Sequence, residues 1–173
     1  MRTLILGGAR SGKSALAERL AGETGLDVTY IATALAGDDE MAERIDHHRA
    51  SRPMDWRTVE EPLALAQALR THAGADKCVV VDCLTLWMSN LLCADDEALY
   101  AREHDALLEV LPQLPGRILL VSNEAGLGVV PMGALTRRFV DAAGRLHQRI
   151  AGCCEQVVLV VAGLPMALKG DAP

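Results

Sequence analysis

Apolar residues fall along this chain in two alternating rhythms. Five short runs, residues 2–6, 27–32, 78–82, 117–122 and 156–161, are nearly unbroken in Val, Ile and Leu. Runs without polar alternation are the pattern of strands buried on both faces of a sheet. Between them, apolar positions recur at helical spacing. Residues 14–21 follow a glycine-rich loop, and residues 38–50 open with acids and close on His47, His48 and Arg49. Residues 62–72 begin with a proline, which suits a first helical turn. Residues 84–92, 97–111 (stopped by Pro112) and 133–151 complete the helical set. Strands alternating with helices predict an α/β domain of three layers, with a mostly parallel central sheet and right-handed crossovers. No repeat, linker or low-complexity tract interrupts the sequence, so residues 1–173 read as a single domain.

Composition narrows this picture. Half of the residues are apolar and 23% charged, but only 3% are aromatic, so the core must be aliphatic. A chain of this length buries about 70% of the surface its unfolded form exposes. Seventeen Lys and Arg against 23 Asp and Glu give a formal charge of −6. With a pI near 5.3, that balance argues against a nucleic-acid polymer as partner. The longest apolar run, residues 157–168, is broken by Pro165 and falls short of the roughly 18 residues that cross a bilayer. Arg2 is followed by Thr3, three apolar residues and then glycines, not by a secretory apolar region. Five cysteines without a Cys-x-x-Cys pair predict a reduced, cytoplasmic protein with neither disulfides nor structural zinc.

Candidate chemistry begins directly after the first apolar run. Gly7, Gly8, Ala9, Arg10, Ser11, Gly12, Lys13 and Ser14 match G-x-x-x-x-G-K-[ST] between a strand and a helix. Glycines let the backbone curl so that successive N–H groups face phosphate oxygens at the positive end of a helix. Lys13 then reaches the β- and γ-phosphates, and the Ser14 hydroxyl ligates Mg²⁺. The chain is therefore expected to bind a nucleoside triphosphate. Asp82 ends the Val79-Val80-Val81 run and is expected to hold the magnesium through water. The guanine-reading Asn-Lys-x-Asp motif is missing, so nothing in the spacing selects the base.

The histidine pair reads in two ways. Residues 38–49 form an amphipathic pattern with acids first and cations last, as the helix dipole favours, and this suits a plain surface helix. Alternatively, a neutral imidazole attacks the α-phosphorus of a bound triphosphate and carries the nucleotidyl group as a phosphoramidate. Spacing leaves both readings open.

Taken together, GGARSGKS at 7–14, YIAT at 30–33, DDEMAERIDHH at 38–48, RPMDWRTVE at 52–60, SNEAGLGVVP at 122–131 and AGRLHQRI at 143–150 resemble one family. It is the bifunctional adenosylcobinamide kinase/adenosylcobinamide-phosphate guanylyltransferase family of cobalamin biosynthesis, and the likeness runs from residue 1 to about 164. The resemblance implies a P-loop NTPase-like fold and two reactions. One phosphorylates adenosylcobinamide at the expense of GTP or ATP. The other moves GMP from GTP to adenosylcobinamide phosphate through a guanylyl-histidine, giving adenosylcobinamide-GDP. It makes His47 the nucleophile and gives the phosphates to residues 7–14. Thr33, Ala34 and Leu35 become a second nucleotide-contacting segment, and His48, Arg49, Ala50 and Ser51 the stretch after the active histidine. Glu60 and Asp82 match acidic positions of the nucleotide site, although the family often carries Glu where this chain has Asp82. A corrinoid substrate and a homo-oligomer, a trimer in the family, are further implications.

Other features have milder readings. Asn123 and Glu124 precede a rigid loop with Gly126, Gly128 and Pro131; Glu124 suits either a turn or the orientation of a substrate or metal-bound water. Arg138, Arg145 and Arg149 share one helix face, the pattern of a solvated stripe, with phosphate or subunit contact as the alternative. Trp56 and Trp87 read as packing or interface residues, not as base-stackers. A simple P-loop small-molecule kinase with a structural His pair, and a slow nucleotide-binding switch, are the rival functions.

Overall fold

Every apolar run becomes a strand, and two further strands join them. In the computed structural model, which describes residues 1–35, 53–128 and 130–173, the order is β1 (Arg2–Gly7), α1 (Lys13–Glu23), β2 (Asp27–Ala32), β3 (Arg57–Glu60), α2 (Leu65–His72), β4 (Lys77–Asp82), α3 (Leu84–Cys93), α4 (Glu97–Val110), a 3-10 turn (Leu111–Gln113), β5 (Arg117–Asn123), α5 (Ala134–Cys153), β6 (Gln156–Val161) and β7 (Leu164–Lys169). The expected helix at residues 38–50 lies outside the described residues.

The seven strands form one sheet in the order β3-β2-β4-β5-β1-β6-β7. All neighbours run parallel except β6 and β7. Successive side chains of a strand point to opposite faces, which splits each apolar run between two cores. Leu4, Leu6, Val79, Val81, Ile118 and Leu120 pack under the helices α2 to α5. Ile5, Val80, Leu119 and Val121 pack against Leu16, Ala17 and Leu20 of α1. The sheet is thus covered on both faces, the three-layer arrangement expected from unalternated strands.

The two additional strands lie at the sheet edges, where the apolar signal fades. In β3, Arg-Thr-Val-Glu carries mostly exposed side chains and is held by pairing with β2, from Thr29↔Arg57 to Ala32↔Glu60. In β7, Pro165 lacks a donor, which only an edge strand tolerates. A two-residue turn, Ala162 (φ 51°) and Gly163 (φ 80°), folds β7 back on β6; positive φ at both central positions is the twist-matched hairpin turn.

Two helix boundaries move for local reasons. The helix expected from Pro62 begins at Leu65, because the Glu61 carboxylate accepts from the N–H groups of Leu63 (2.9 Å) and Ala64 (2.7 Å) and holds a turn there. The helix expected to reach Leu111 stops at Val110, and Pro112 turns the next residues into a 3-10 turn.

Candidate active site

The loop after β1 is shaped by two close approaches. A side chain at Gly7 would meet the Ser11 Oγ and the Val160 carbonyl at 2.7 Å, so only hydrogen fits there. Gly12 has φ 96° and lies with its Cα face 3.2 Å from the Cα of Gly163, measured from where a Cβ would stand. The Gly163 N–H donates to the Ser11 carbonyl (2.8 Å), so the β6–β7 turn buttresses the loop. Within it, the Ser11 N–H donates to Gly8 (3.3 Å), and the buried Lys13 Nζ donates to the Gly8 carbonyl (2.9 Å).

This loop ends in a set of hydrogen-bond donors. Gly12 precedes α1 without any side-chain cap, leaving first-turn N–H groups unpaired by a side chain. The Ser11 hydroxyl is buried and has no hydrogen-bond partner among the described residues. A curled loop, an uncapped helix start, an orphaned hydroxyl and a buried ammonium together fit a phosphate chain. The Ser14 hydroxyl at the start of α1 and the Asp82 carboxylate are hard oxygen donors of the kind that Mg²⁺ takes.

The acidic residues reach the same carboxyl edge from neighbouring strands. Ala32 stands level with Glu60 on one side and Asp82 on the other. Asp82 accepts a hydrogen bond from the Tyr30 hydroxyl (2.6 Å), which fixes its carboxylate at the end of β4. Past Ala32 the chain is clasped to the residue after Asp82. The Thr33 hydroxyl donates to the Cys83 carbonyl (2.7 Å) and accepts from the Cys83 N–H (2.9 Å), while Asn90 donates to the Thr33 carbonyl (2.8 Å). Thr33 is buried, Ala34 half-buried and Leu35 exposed.

A third group lies where β5 ends beside the loop. The Glu124 N–H donates to the Gly7 carbonyl (3.0 Å), and its carboxylate accepts from the Gly126 N–H (2.6 Å). His147, buried on α5, places Nε2 2.7 Å from the Ser122 Oγ and Nδ1 3.8 Å from Glu124. That second distance is too long for a direct hydrogen bond. Burial lowers the His147 pKa, and the charge of Glu124 acts against that shift. The imidazole therefore favours its neutral form, accepting from Ser122 at Nε2 when the proton sits on Nδ1.

The loop residues 7–14, Thr33, Ala34, Leu35, Glu60 and Asp82 thus lie along the carboxyl edge of the sheet. His47, His48, Arg49, Ala50 and Ser51 lie outside the described residues. Sequence reasoning missed the supports: Tyr30 behind Asp82, Asn90 behind Thr33, and His147 beside Glu124. The only local signal was a polar Ser122 at the end of an apolar strand.

A parallel sheet with an anion-binding loop between its first strand and helix, and carboxylates at neighbouring strand ends, defines a P-loop nucleotide-binding α/β protein. Solved structures bear out the fold: the RadB recombinase aligns with a TM-score of 0.54 at 15% identity over 91% of this chain and 73% of its own. The flagellar accessory protein FlaH from Methanocaldococcus jannaschii aligns with a TM-score of 0.51 at 16% identity, over 98% of this chain and 78% of its own. The family model described as cobinamide kinase / cobinamide phosphate guanyltransferase matches residues 3–168, and the chain belongs to that family. It is 67% identical over 171 residues to the bifunctional adenosylcobalamin biosynthesis protein CobP of Pseudomonas aeruginosa, covering 99% of both chains. To the bifunctional adenosylcobalamin biosynthesis protein CobU of Escherichia coli it is 39% identical, covering 98% of this chain and 100% of that one.

Proposed function

We propose that one nucleotide site serves both reactions of the family in turn. The chain is a kinase and a guanyltransferase acting on cobinamide and its phosphate. In the first reaction, the hydroxyl of the cobinamide side chain attacks the γ-phosphorus of a triphosphate. The new O–P bond replaces the bond to the β-phosphate oxygen, the hydroxyl proton departs, and a nucleoside diphosphate leaves. Lys13 and the loop N–H groups stabilise the charge that gathers on the phosphate oxygens. Mg²⁺, held by Ser14 and Asp82, supplies further neutralisation of that charge when bound.

In the second reaction, a ring nitrogen of His47 attacks the α-phosphorus of GTP. An N–P bond forms, the α–β bridging bond breaks, and pyrophosphate leaves with the electron pair. An oxygen of the corrinoid phosphate then displaces the imidazole, which yields adenosylcobinamide-GDP and restores His47. The backbone of Thr33, Ala34 and Leu35, with Glu60 and the stretch His48, Arg49, Ala50 and Ser51, completes the nucleotide site in this reading. One observation carries it: the donor set of residues 7–14 faces the same carboxyl edge from which the β2–β3 connection, bearing His47, departs.

No helix among the described residues is long and apolar enough to cross a membrane. β7 supports homo-oligomeric assembly, since Leu164, Met166 and Leu168 on this edge strand are 72, 55 and 56% exposed.

The test is covalent. Incubated with α-labelled GTP and Mg²⁺ and then denatured, the protein is expected to retain label that is acid-labile and alkali-stable, as a phosphoramidate is. His47→Ala is expected to retain none while still phosphorylating cobinamide. No label on the wild type, or undiminished label on His47→Ala, overturns the guanylyl-histidine.

A further inference from the structure

The arginine stripe read from the sequence as a solvated face is exposed, and it lines an open groove. It lies between α4 and α5, has a volume of about 590 Å³, and falls within the size range of small-molecule sites. Arg137, Arg138, Arg145 and Arg149 project from α5, and Tyr100 and His104 from α4. We infer that this groove is a second anion site, built for a ligand carrying a diphosphate group and separate from the loop at residues 7–14.

Charge is the first argument. Asp141 also lines the groove, and Glu97 pairs with Arg138 at 2.5 Å. With Asp105, which stands 3.0 Å from His104 and acts on Tyr100, four arginines meet three carboxylates, an excess of one positive charge in a chain whose formal charge is −6. Arg145 and Arg149 are i,i+4 neighbours, and like charges at that spacing cost a helix stability. Both side chains are exposed, and the charge of Arg145 acts on the Tyr100 hydroxyl. A cationic pair that repels itself is relieved by an anion seated between the two.

Shape is the second argument. Ala134 and Ala142 stand on the same face of α5, so the guanidinium groups surround open space, not bulky neighbours. The other two arginines are already held. Arg137 donates to the carbonyls of Pro131 (3.1 Å) and Met132, and Arg138 lies 6.0 Å over the Tyr100 ring. Tyr100 in turn stacks on His104 with ring centres 5.7 Å apart. Guanidinium forks bind phosphate oxygens in pairs, which an ammonium does not do. The groove belongs to the helical layer of α2 to α5, whereas the loop at residues 7–14 opens α1 on the other face.

Equilibrium dialysis of the full chain with labelled inorganic pyrophosphate tests this. Wild type is expected to bind two per chain. Lys13→Ala is expected to keep the groove, and Arg145→Ala/Arg149→Ala to keep the loop, each binding one. The double variant should weaken groove binding by at least about tenfold, since each arginine contributes charge-assisted hydrogen bonds. Its labelling by α-labelled GTP and its melting midpoint should stay at wild-type levels; if the alanines unfold the chain, Arg145→Gln/Arg149→Gln replaces them. Labelled ATP offered to Lys13→Ala separates the two sources of diphosphate, since tighter ATP marks a nucleotide site and tighter pyrophosphate a site for the free ion. One pyrophosphate per wild-type chain, with Lys13→Ala binding none, overturns the inference. So do two retained by the arginine variants. If those variants instead lower the sedimenting mass while pyrophosphate binding is unchanged, the groove is a contact between copies of the chain, and the inference fails.

Discussion

At the residue scale, the clearest consequences come from groups whose freedom the fold removes. His147 is held neutral by burial, so below its ordinary pKa of 6.5 the unfolded chain takes up a proton before the folded one does. Its contribution to stability is complete above that pH and declines as pH falls toward the lowered folded value. Denaturant midpoints measured between about pH 7.5 and pH 5.5 should therefore drop in the wild type, and drop less in His147→Gln. Glu124→Gln removes the charge that offsets the burial, so its acid loss should be steeper than wild type. An equal slope in all three proteins would remove His147 from this role. Gly12→Ala forces a side chain into φ 96° against Gly163, a strain of about 1–3 kcal/mol. Triphosphate binding by that variant, followed by calorimetry, should be lost with the helix layer still folded. Lys13 and its loop were legible in the sequence because their chemistry resides in contiguous spacing. The His147 group was not, since Ser122 and Glu124 meet it only through the packing of α5 on β5.

At the scale of elements, Thr33 joins two strand ends across one gap. Replacing its hydroxyl in Thr33→Val leaves the buried Cys83 N–H without its partner, while the Cys83 carbonyl keeps the Trp87 N–H. The expected loss is about 1–3 kcal/mol, read from urea unfolding. GTP labelling should fall as well, because the backbone of Ala34 and Leu35 is positioned from the same clasp. Labelling unaffected by a destabilised clasp would separate that segment from the nucleotide. The central strands were readable because burial on both faces forbids polar alternation, and residues 2–6 or 78–82 therefore stand out. β3 and β7 escaped notice for the complementary reason. An edge strand is specified by the neighbour it pairs with, so Arg57 to Glu60 shows no pattern of its own, and Pro165 argues locally against a strand. The position of Asp82 opposite Ala32 belongs to sheet register, which spacing along the chain does not encode.

For the whole molecule, size and charge become constraints on the chemistry. The sheet and its two helical layers take up the described residues. The exposed apolar side chains of β7 offer a surface that another copy would cover. Leu164→Lys/Leu168→Lys should accordingly lower the mass seen in sedimentation equilibrium, with the melting midpoint little changed; an unaltered mass would place the subunit contact elsewhere. The acidic balance that argued against nucleic-acid polymers hides two local reversals, the loop around Lys13 and the groove around Arg145. The covalent relay remains the central claim, and a chase tests it most directly. Protein carrying label from α-labelled GTP, freed of nucleotide and mixed with adenosylcobinamide phosphate, should pass that label to adenosylcobinamide-GDP in a single turnover without added GTP. Label that stays on the protein while unlabelled GTP still supports product formation would contradict the relay.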